Sequence, residues 1–280
     1  MTDADDFRAS LKSLDTEEHI DIYFYRRLGF FWARLARRLG VTPNAITIAS
    51  IFIGVAAGVL LYPTNLWVNI CGLLLLVLAN SFDSADGQLA RLTGQYSPLG
   101  RILDGLAGDF WFLAIYLAIA LRTVGTVGWF AGHPWAMWTL TILAGLSHGV
   151  QAAVADRCRQ IHLFAIGARS ELDDSATVRA RLREKPSLYL RGYLVYTRLQ
   201  ELLTPAACRM LAKGQLPADF RARSLPLMKY ANALTFNWRS IVLALATLAG
   251  APWLFPLAEV TLGNLLLALL LARHSRACRP

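Results

Sequence analysis

A chain of 280 residues with 55% hydrophobic and only 17% charged positions lies outside the usual balance of a soluble globular protein, and its mean hydropathy of +0.41 points to lipid. Its formal charge of +9 would suit nucleic acid, but in so apolar a chain the placement of Lys and Arg matters more than their sum, and no nucleic-acid role is expected. Cys71, Cys158, Cys208 and Cys278 lack CxxC or metal-ligand spacing, so neither a zinc site nor a disulfide framework is indicated.

The N-terminus, MTDADDFRAS, is acidic and polar, unlike the basic start of a cleavable signal. Residues 23–39, YFYRRLGFFWARLARRL, mix aromatics with arginines at spacings that suit a helix lying in the headgroup plane or a basic cytoplasmic extension of the first span. A spanning helix needs roughly 20 mostly apolar residues. Six segments approach that length: 43–62, 66–92, 98–124, 134–155, 230–249 and 252–272.

Between the fourth and fifth segments lies an insertion, residues 167–229. Its front, ARSELDDSATVRARLREKP, is polar, whereas residues 188–211 are amphipathic but too interrupted by Arg191, Arg198, Glu201 and Pro205 to span, and are expected on or near the cytoplasmic surface. Lys and Arg gather in the N-terminal segment, after the second span, in the insertion and at the tail. That alternation places both termini inside and requires an even number of spans, which six satisfies; Arg122 is the exception. The expected fold is therefore an all-α polytopic membrane bundle of six transmembrane helices, with an N-terminal interfacial helix and a cytoplasmic helical insertion. Its segments are 1–39, 40–166 (four spans), 167–229 (insertion) and 230–280 (two spans and a basic tail).

Against this apolar background, SFDSADGQLARLTGQYSPLGRILDGLAGDF (81–110) carries Asp83, Asp86, Asp104 and Asp109. Ionisable residues at membrane depth are costly and point to function. Asp83 and Asp86, three apart, share a helix face, and Asp104 and Asp109 follow on the next helix across a short turn. Converging carboxylates repel one another, and a divalent cation relieves that repulsion; all-oxygen ligands suit Mg²⁺ or Mn²⁺. Gly87 and Ala90 leave room for a ligand, Gly100 and Gly105 allow close helix contact, and Arg91 lies at a depth to hold a phosphate. A structural ion-pair network and a cation pathway, as in a transporter, are the competing readings of the same acids.

The stretch resembles the signature DxxDGxxARx8GxxxDxxxD of the CDP-alcohol phosphotransferase family of integral membrane enzymes: Asp83, Asp86, Gly87, Ala90, Arg91, Gly100 and Asp104 fall in register. GVTPNAIT (40–47) is also similar to what that family places at the opening of its first span. The resemblance implies a phosphotransferase of phospholipid biosynthesis that moves a phosphatidyl or phospho-alcohol group from a CDP-linked donor, such as CDP-diacylglycerol, to an acceptor hydroxyl and releases CMP. It implies Mg²⁺ or Mn²⁺ on Asp83, Asp86 and Asp104, with donor contacts from Gly87, Ala90, Arg91 and Gly100. The acceptor is a lipid or small polar alcohol, the location is a membrane with both termini cytoplasmic, in bacteria the inner one, and a homodimer is compatible with it. The signature's last aspartate belongs at position 108, where this chain has Gly108 followed by Asp109. One residue later on a regular helix turns a side chain by about 100°, so Asp109 serves as the implied general base only if a helical bulge re-aims it. The alternative is a catalytically impaired member that binds a CDP-lipid without turnover. Asn232, Asn237, Arg239, His148, Asp156, Arg179, Arg181 and Arg183 are acceptor-contact candidates, Arg239 foremost because a buried arginine in a span needs an anionic partner.

Overall fold

A computed structural model describes Phe7 and residues 15–169, 171–214 and 216–279, apart from the side chains of positions 98, 99 and 101. Among the described residues the chain is helical and no strand occurs. The main helices are α1 (Arg26–Arg38), α2 (Pro43–Val59), α3 (Leu66–Thr93), α4 (Pro98–Thr126), α5 (Gly128–Gly132), α6 (Pro134–Ala165), α7 (Ser175–Glu184), α8 (Leu188–Leu203), α9 (Pro205–Ala212), α10 (Phe220–Ser224), α11 (Met228–Asn232), α12 (Phe236–Leu248), α13 (Leu254–Ala258) and α14 (Asn264–Ala277). The chain divides into two compact units, Met1–Gly145 with Ser240–Leu257, and Leu146–Arg239 with Ala258–Pro280.

Among the described residues, three helical stretches combine the length and apolar content to cross a membrane: Leu66–Thr93, Ile102–Thr126 and Leu254–Ala277. Pro43–Val59 is apolar but shorter. The other two segments differ from the six-span expectation for identifiable reasons. Helix α6 is long enough, but Ser147, His148 and Gln151 dilute its apolar run. The fifth segment is not one helix: it breaks after Asn232, where the Thr235 hydroxyl donates to the Asn232 carbonyl at 2.6 Å, and α12 resumes with 13 residues. Side-chain bonds of this kind compete with the helical ladder. Thirteen residues rise only about 20 Å, short of a hydrocarbon core of about 30 Å.

In the first unit α2, α3 and α4 pack through small residues. Within lipid, helices have no hydrophobic incentive to associate, so close van der Waals packing must hold them. The GVAAG run supplies it: a Cβ at Gly54 would collide with the Trp111 ring of α4, and one at Gly58 would stand 2.7 Å from Ala114 Cβ. Trp111 is thereby sealed in the helix contact at 2% exposure. Arg122, the exception to the charge pattern, is folded inward: its guanidinium donates to the Leu61 carbonyl at 3.2 Å and to Asn69 Oδ1 at 2.8 Å, while Asn69 Nδ2 donates to the Leu60 and Pro63 carbonyls. The carbonyls of the turn that follows α2, at Leu60, Leu61 and Pro63, are satisfied this way.

The segment before α2 is a separate helix, α1, closed at Gly40, whose φ of 68° falls in the left-handed region. It is no extension of α2. Its small face, Gly29, Ala33 and Ala36, is buried, and Ala33 and Ala36 pack with Ile46, Ala85 and Leu89, while Phe31 and Leu35 face outward.

In the second unit, the C-terminal half of α6 packs with α9 to α11 and α14 around Val154, Cys158, Ile161, Phe220 and Leu270. Its buried polar residues are tied to one another. Arg239 Nε donates to Glu259 Oε1 at 3.0 Å with both side chains buried, Arg239 Nη2 donates to Gln151 Oε1 at 2.9 Å, and Gln151 Nε2 donates to the Glu259 carbonyl and to Asn264 Oδ1. Glu259 opens a π-helical turn, Glu259–Gly263, and a Cβ at Gly263 would stand 2.6 Å from Gln151 Nε2. The bare glycine lets the Gln151 amide reach the turn.

Candidate functional site

The acidic motif is shaped by a helix stop and a helix start only a few residues apart. Helix α3 begins where Asn65 Oδ1 accepts from the Trp67 and Val68 amides, and ends at Gly94, φ 68°, a conformation that costs glycine little. Helix α4 starts with Ser97, whose Oγ accepts from the Gly100 amide at 2.8 Å, and with Pro98 in the first turn, where its missing N–H costs nothing. The chain reverses within residues 94–97, so the last turns of α3 face the first turns of α4.

Asp83, Asp86 and Asp104 converge there: one carboxylate oxygen from each lies within 4.8 Å of the others. Their burial is graded, with Asp86 at 4% exposure, Asp83 half-buried and Asp104 exposed. Asp86 is anchored by the Thr47 hydroxyl of α2, which donates to Asp86 Oδ2. Three carboxylates this close repel one another, and a cation between them relieves that repulsion. An all-oxygen donor set of carboxylates fits a hard divalent ion and lacks the thiolate or imidazole that a zinc site uses.

The remaining motif residues sit around this cluster on the same two helices. Gly87, next to Asp86, leaves space beside Arg91: a Cβ there would touch Arg91 Nη1 at 3.4 Å. Ala90 and Arg91 are half-buried one turn further along α3. Gly100 has a local structural reason as well. A Cβ there would run into Asn44 Oδ1, the atom to which Ser97 Oγ donates at 3.0 Å.

Two residues that the motif does not contain therefore help build the site, Asn44 and Thr47, both in the GVTPNAIT segment. One holds the turn before α4 and the other holds Asp86. Their signal in the sequence was present, as Asn and Thr on the first turns of an otherwise apolar helix. Helix α1 also reaches the motif helix: Gln88 Nε2 donates to the Arg26 carbonyl at 3.1 Å, and Arg26, paired with Glu17 at 2.9 Å, donates to Ser84 Oγ. A Cβ at Gly29 would lie 2.9 Å from Ser84 Cβ, so only glycine permits this approach.

Asp109 stands apart. Helix α4 is α-helical from Pro98 to Thr126, and the bulge that would re-aim Asp109 is not formed. Five residues after Asp104 on a regular helix it is turned by about 140° from it, and it is exposed and outside the group of three. A Cβ at Gly105 or Gly108 would meet nothing within 4 Å, so the helix face there is open.

The acceptor-contact candidates lie in the second unit, and most have protein partners. The anionic partner that buried Arg239 requires is Glu259. Arg181 pairs with Asp173 at 2.9 Å, and Asp156 Oδ2 accepts from Gln160, Tyr196 and Gln200 at 2.7, 3.1 and 3.2 Å. Asn232 and Asn237 are buried, His148 is half-buried, and Arg179 and Arg183 are exposed.

Residues 40–166 match the CDP-alcohol phosphatidyltransferase family. The chain is 35% identical over 107 residues to the archaetidylinositol phosphate synthase of Aeropyrum pernix, covering 34% of this chain and 53% of that protein. It is 35% identical over 91 residues to the protein of the same name from Pyrococcus horikoshii, covering 32% and 46%. To choline/ethanolaminephosphotransferase 1 of Arabidopsis thaliana it is 36% identical over 84 residues, covering 26% and 22%. The chain thus spans about half or less of the length of these curated relatives.

Proposed function

From the match of residues 40–166 to the CDP-alcohol phosphatidyltransferase family we propose that the chain is a member of that family and an integral-membrane transferase of phospholipid biosynthesis. It takes a CDP-linked donor, passes the phosphatidyl or phospho-alcohol group to an acceptor hydroxyl, and releases CMP. The observation that carries this reading is the convergence of Asp83, Asp86 and Asp104 within a segment that matches the family. These residues would hold Mg²⁺ or Mn²⁺. When bound, the cation neutralises pyrophosphate oxygens and stabilises the CMP leaving group.

The chain's own residues supply the rest. Asp86, buried and held by Thr47, fixes the ligand set from the protein side, while exposed Asp104 leaves it open to substrate. Arg91 binds a donor phosphate, and Gly87 and Ala90 make room for the nucleotide beside it. Gly100 keeps the start of α4 close to Asn44 and so sets the depth of Asp104. Asp109 takes the proton of the acceptor hydroxyl once α4 over- or under-winds at Gly105 and Gly108, whose surroundings are open. Both termini face the cytoplasm, as the Lys and Arg pattern requires, and the insertion 167–229 is a cytoplasmic appendage.

The acceptor class is proposed from names and charge. The relatives are named for archaetidylinositol phosphate synthesis and for choline and ethanolamine phosphotransfer. With Arg239 and Arg181 already neutralised by carboxylates, exposed Arg179 and Arg183 are the remaining basic candidates in this set for a phosphorylated polyol. The second reading, a member that binds CDP-lipid without turnover, is favoured by the regular helix that holds Asp109 away from the three acids. CMP release from a panel of CDP-lipids and CDP-alcohols, with glycerol phosphate, inositol phosphate, serine, inositol or diacylglycerol as acceptor and Mg²⁺ or Mn²⁺, separates the two. Turnover with any pair supports the enzyme. Absence of turnover with every pair, together with its appearance in Gly108→Asp, supports the impaired member.

A further inference from the structure

Helix α8, in the insertion outside the family segment, exposes one apolar stripe, while polar side chains share its inner side with Leu190, Leu194, Leu199 and Leu203. Apart from Leu194, the residues it buries are polar, Thr197 and Gln200. The Gln200 amide donates to the Ala153 carbonyl at 3.0 Å, and the hydroxyls of half-buried Tyr193 and Tyr196 donate to Asp173 and Asp156. Its outward face carries Leu188, Val195 and Leu202, at 85%, 66% and 75% exposure. These three are spaced by seven residues, two helical turns, so they form one stripe on the side opposite Thr197.

Beside the stripe, about 60° around the helix, run Arg191 and Arg198, also exposed and also seven apart. The exposed residues of α8 include no carboxylate; the one acid on the helix, Glu201, is half-buried and accepts from the Ser175 amide at 2.8 Å. A helix packed in water would not hold a stripe of Leu188, Val195 and Leu202 outward while burying a glutamine and a threonine. This arrangement fits an apolar medium on the outer side. The arginines say which part of that medium: spread along the length of the helix, they rule out a spanning orientation, in which both would sit at hydrocarbon depth, and fit a helix lying flat among phosphate-bearing headgroups.

We propose that α8 is a membrane-surface helix that lies in the headgroup layer of an anionic leaflet, with Leu188, Val195 and Leu202 in the acyl boundary and Arg191 and Arg198 on lipid phosphates. The occupant is the lipid surface itself, chosen by charge complementarity and by the spanning helices elsewhere in this chain. It stands independently of the transferase reading.

Spin labelling tests it in the full chain. Nitroxides are attached singly at Leu188→Cys, Val195→Cys and Leu202→Cys in a background carrying Cys71→Ser, which removes the exposed native thiol, and the protein is reconstituted in phosphatidylcholine vesicles with or without phosphatidylglycerol. Collision with oxygen, which partitions into lipid, is compared with collision with a water-soluble nickel chelate. The expected result is an oxygen-to-nickel ratio several-fold higher at all three positions than at Arg183→Cys on exposed α7. In the Val195-labelled chain the ratio falls when phosphatidylglycerol is omitted, and Arg191→Gln with Arg198→Gln removes that lipid dependence. A ratio at the three positions as low as at residue 183 overturns the proposal. So does exclusion of both reagents that disappears as protein is diluted in lipid, because the face then packs on a second copy of the chain. The three label sites point outward, so loss of one variant leaves the other two to decide.

Discussion

The two units solve the same problem, placing charge in an apolar chain, in opposite ways. In the first, Asp83, Asp86 and Asp104 bring like charges within 4.8 Å of one another. In the second, Arg239 and Glu259 bring opposite charges to 3.0 Å and add Gln151 to hold the arginine. A buried pair of opposite charges cancels within the protein, although Glu259 Oε2 is buried here without a hydrogen-bond partner. A cluster of like charges is stable only when a ligand completes it, and that difference separates a structural device from a working site.

Breaking the pair should have the largest effect on folding. Glu259→Ala leaves the Arg239 guanidinium buried against Gln151 alone, and is expected to cost about 3–5 kcal/mol, read as a fall in the thermal unfolding midpoint of the detergent-solubilised chain. Replacing both partners, Arg239→Met with Glu259→Met, should return most of that loss, which a substrate-binding role for Arg239 would not allow for activity. Breaking the cluster's chemistry without its fold comes next. With Asp109 as the base, Asp109→Asn lowers CMP release by about 10²–10⁴-fold while the unfolding free energy stays within about 1 kcal/mol of native. A smaller effect belongs to the support of the cluster. Thr47→Val removes the donor to Asp86, and a hydrogen bond to a charged group contributes about 1.5–3 kcal/mol, so weaker Mg²⁺ or Mn²⁺ activation of turnover is expected, with the metal concentration for half-maximal rate raised about tenfold or more.

The smallest expected effect lies in the insertion, away from both charge arrangements. Asp174 caps α7 by accepting from the Thr177 amide at 2.7 Å, and that bond, with the Thr177 hydroxyl, lowers its carboxyl pKa below the ordinary value. A carboxyl whose folded pKa is depressed adds stability that is present above its unfolded pKa and is lost as pH falls through the folded value. Asp174→Ala should therefore cost about 1 kcal/mol near neutral pH, and the difference from native should vanish under acid conditions, below the ordinary aspartate range. Helix content of α7 followed by hydrogen exchange across a pH series measures it.

Comparing the units also explains what could be read from the sequence. The first unit's acidic site was legible because local rules fix it: Asn65, Gly94, Ser97 and Pro98 are unambiguous helix ends, and the spacing of Asp83 and Asp86 sets one face. What escaped were partners that only packing brings near, Thr47 to Asp86 and Asn44 to Ser97, separated by 39 and 53 residues. Asp109 could be placed by its number, but its direction depended on whether α4 bulges, and periodicity does not determine that. Elsewhere, hydropathy merged Tyr230 to Ala249 into one span because Thr235 and Asn232 look unremarkable in an apolar run, yet their side chain and backbone end a helix there. The Arg239 to Glu259 pairing spans 20 residues and a π-helical turn, neither of which an apolar count registers. The resemblance to a known family was dense over residues 40–124 for the same reason: the densest local signals lie there.

The most direct test of the central claim is metal-dependent CMP release by the purified chain in lipid, native beside Asp86→Asn and Asp104→Asn. The proposed transferase gives turnover with Mg²⁺ or Mn²⁺ that chelation abolishes, and a loss of about 100-fold or more in each variant with unchanged unfolding midpoints. Turnover that persists in both variants, or that survives complete removal of divalent ions, would contradict the claim that these three aspartates are where the chemistry occurs.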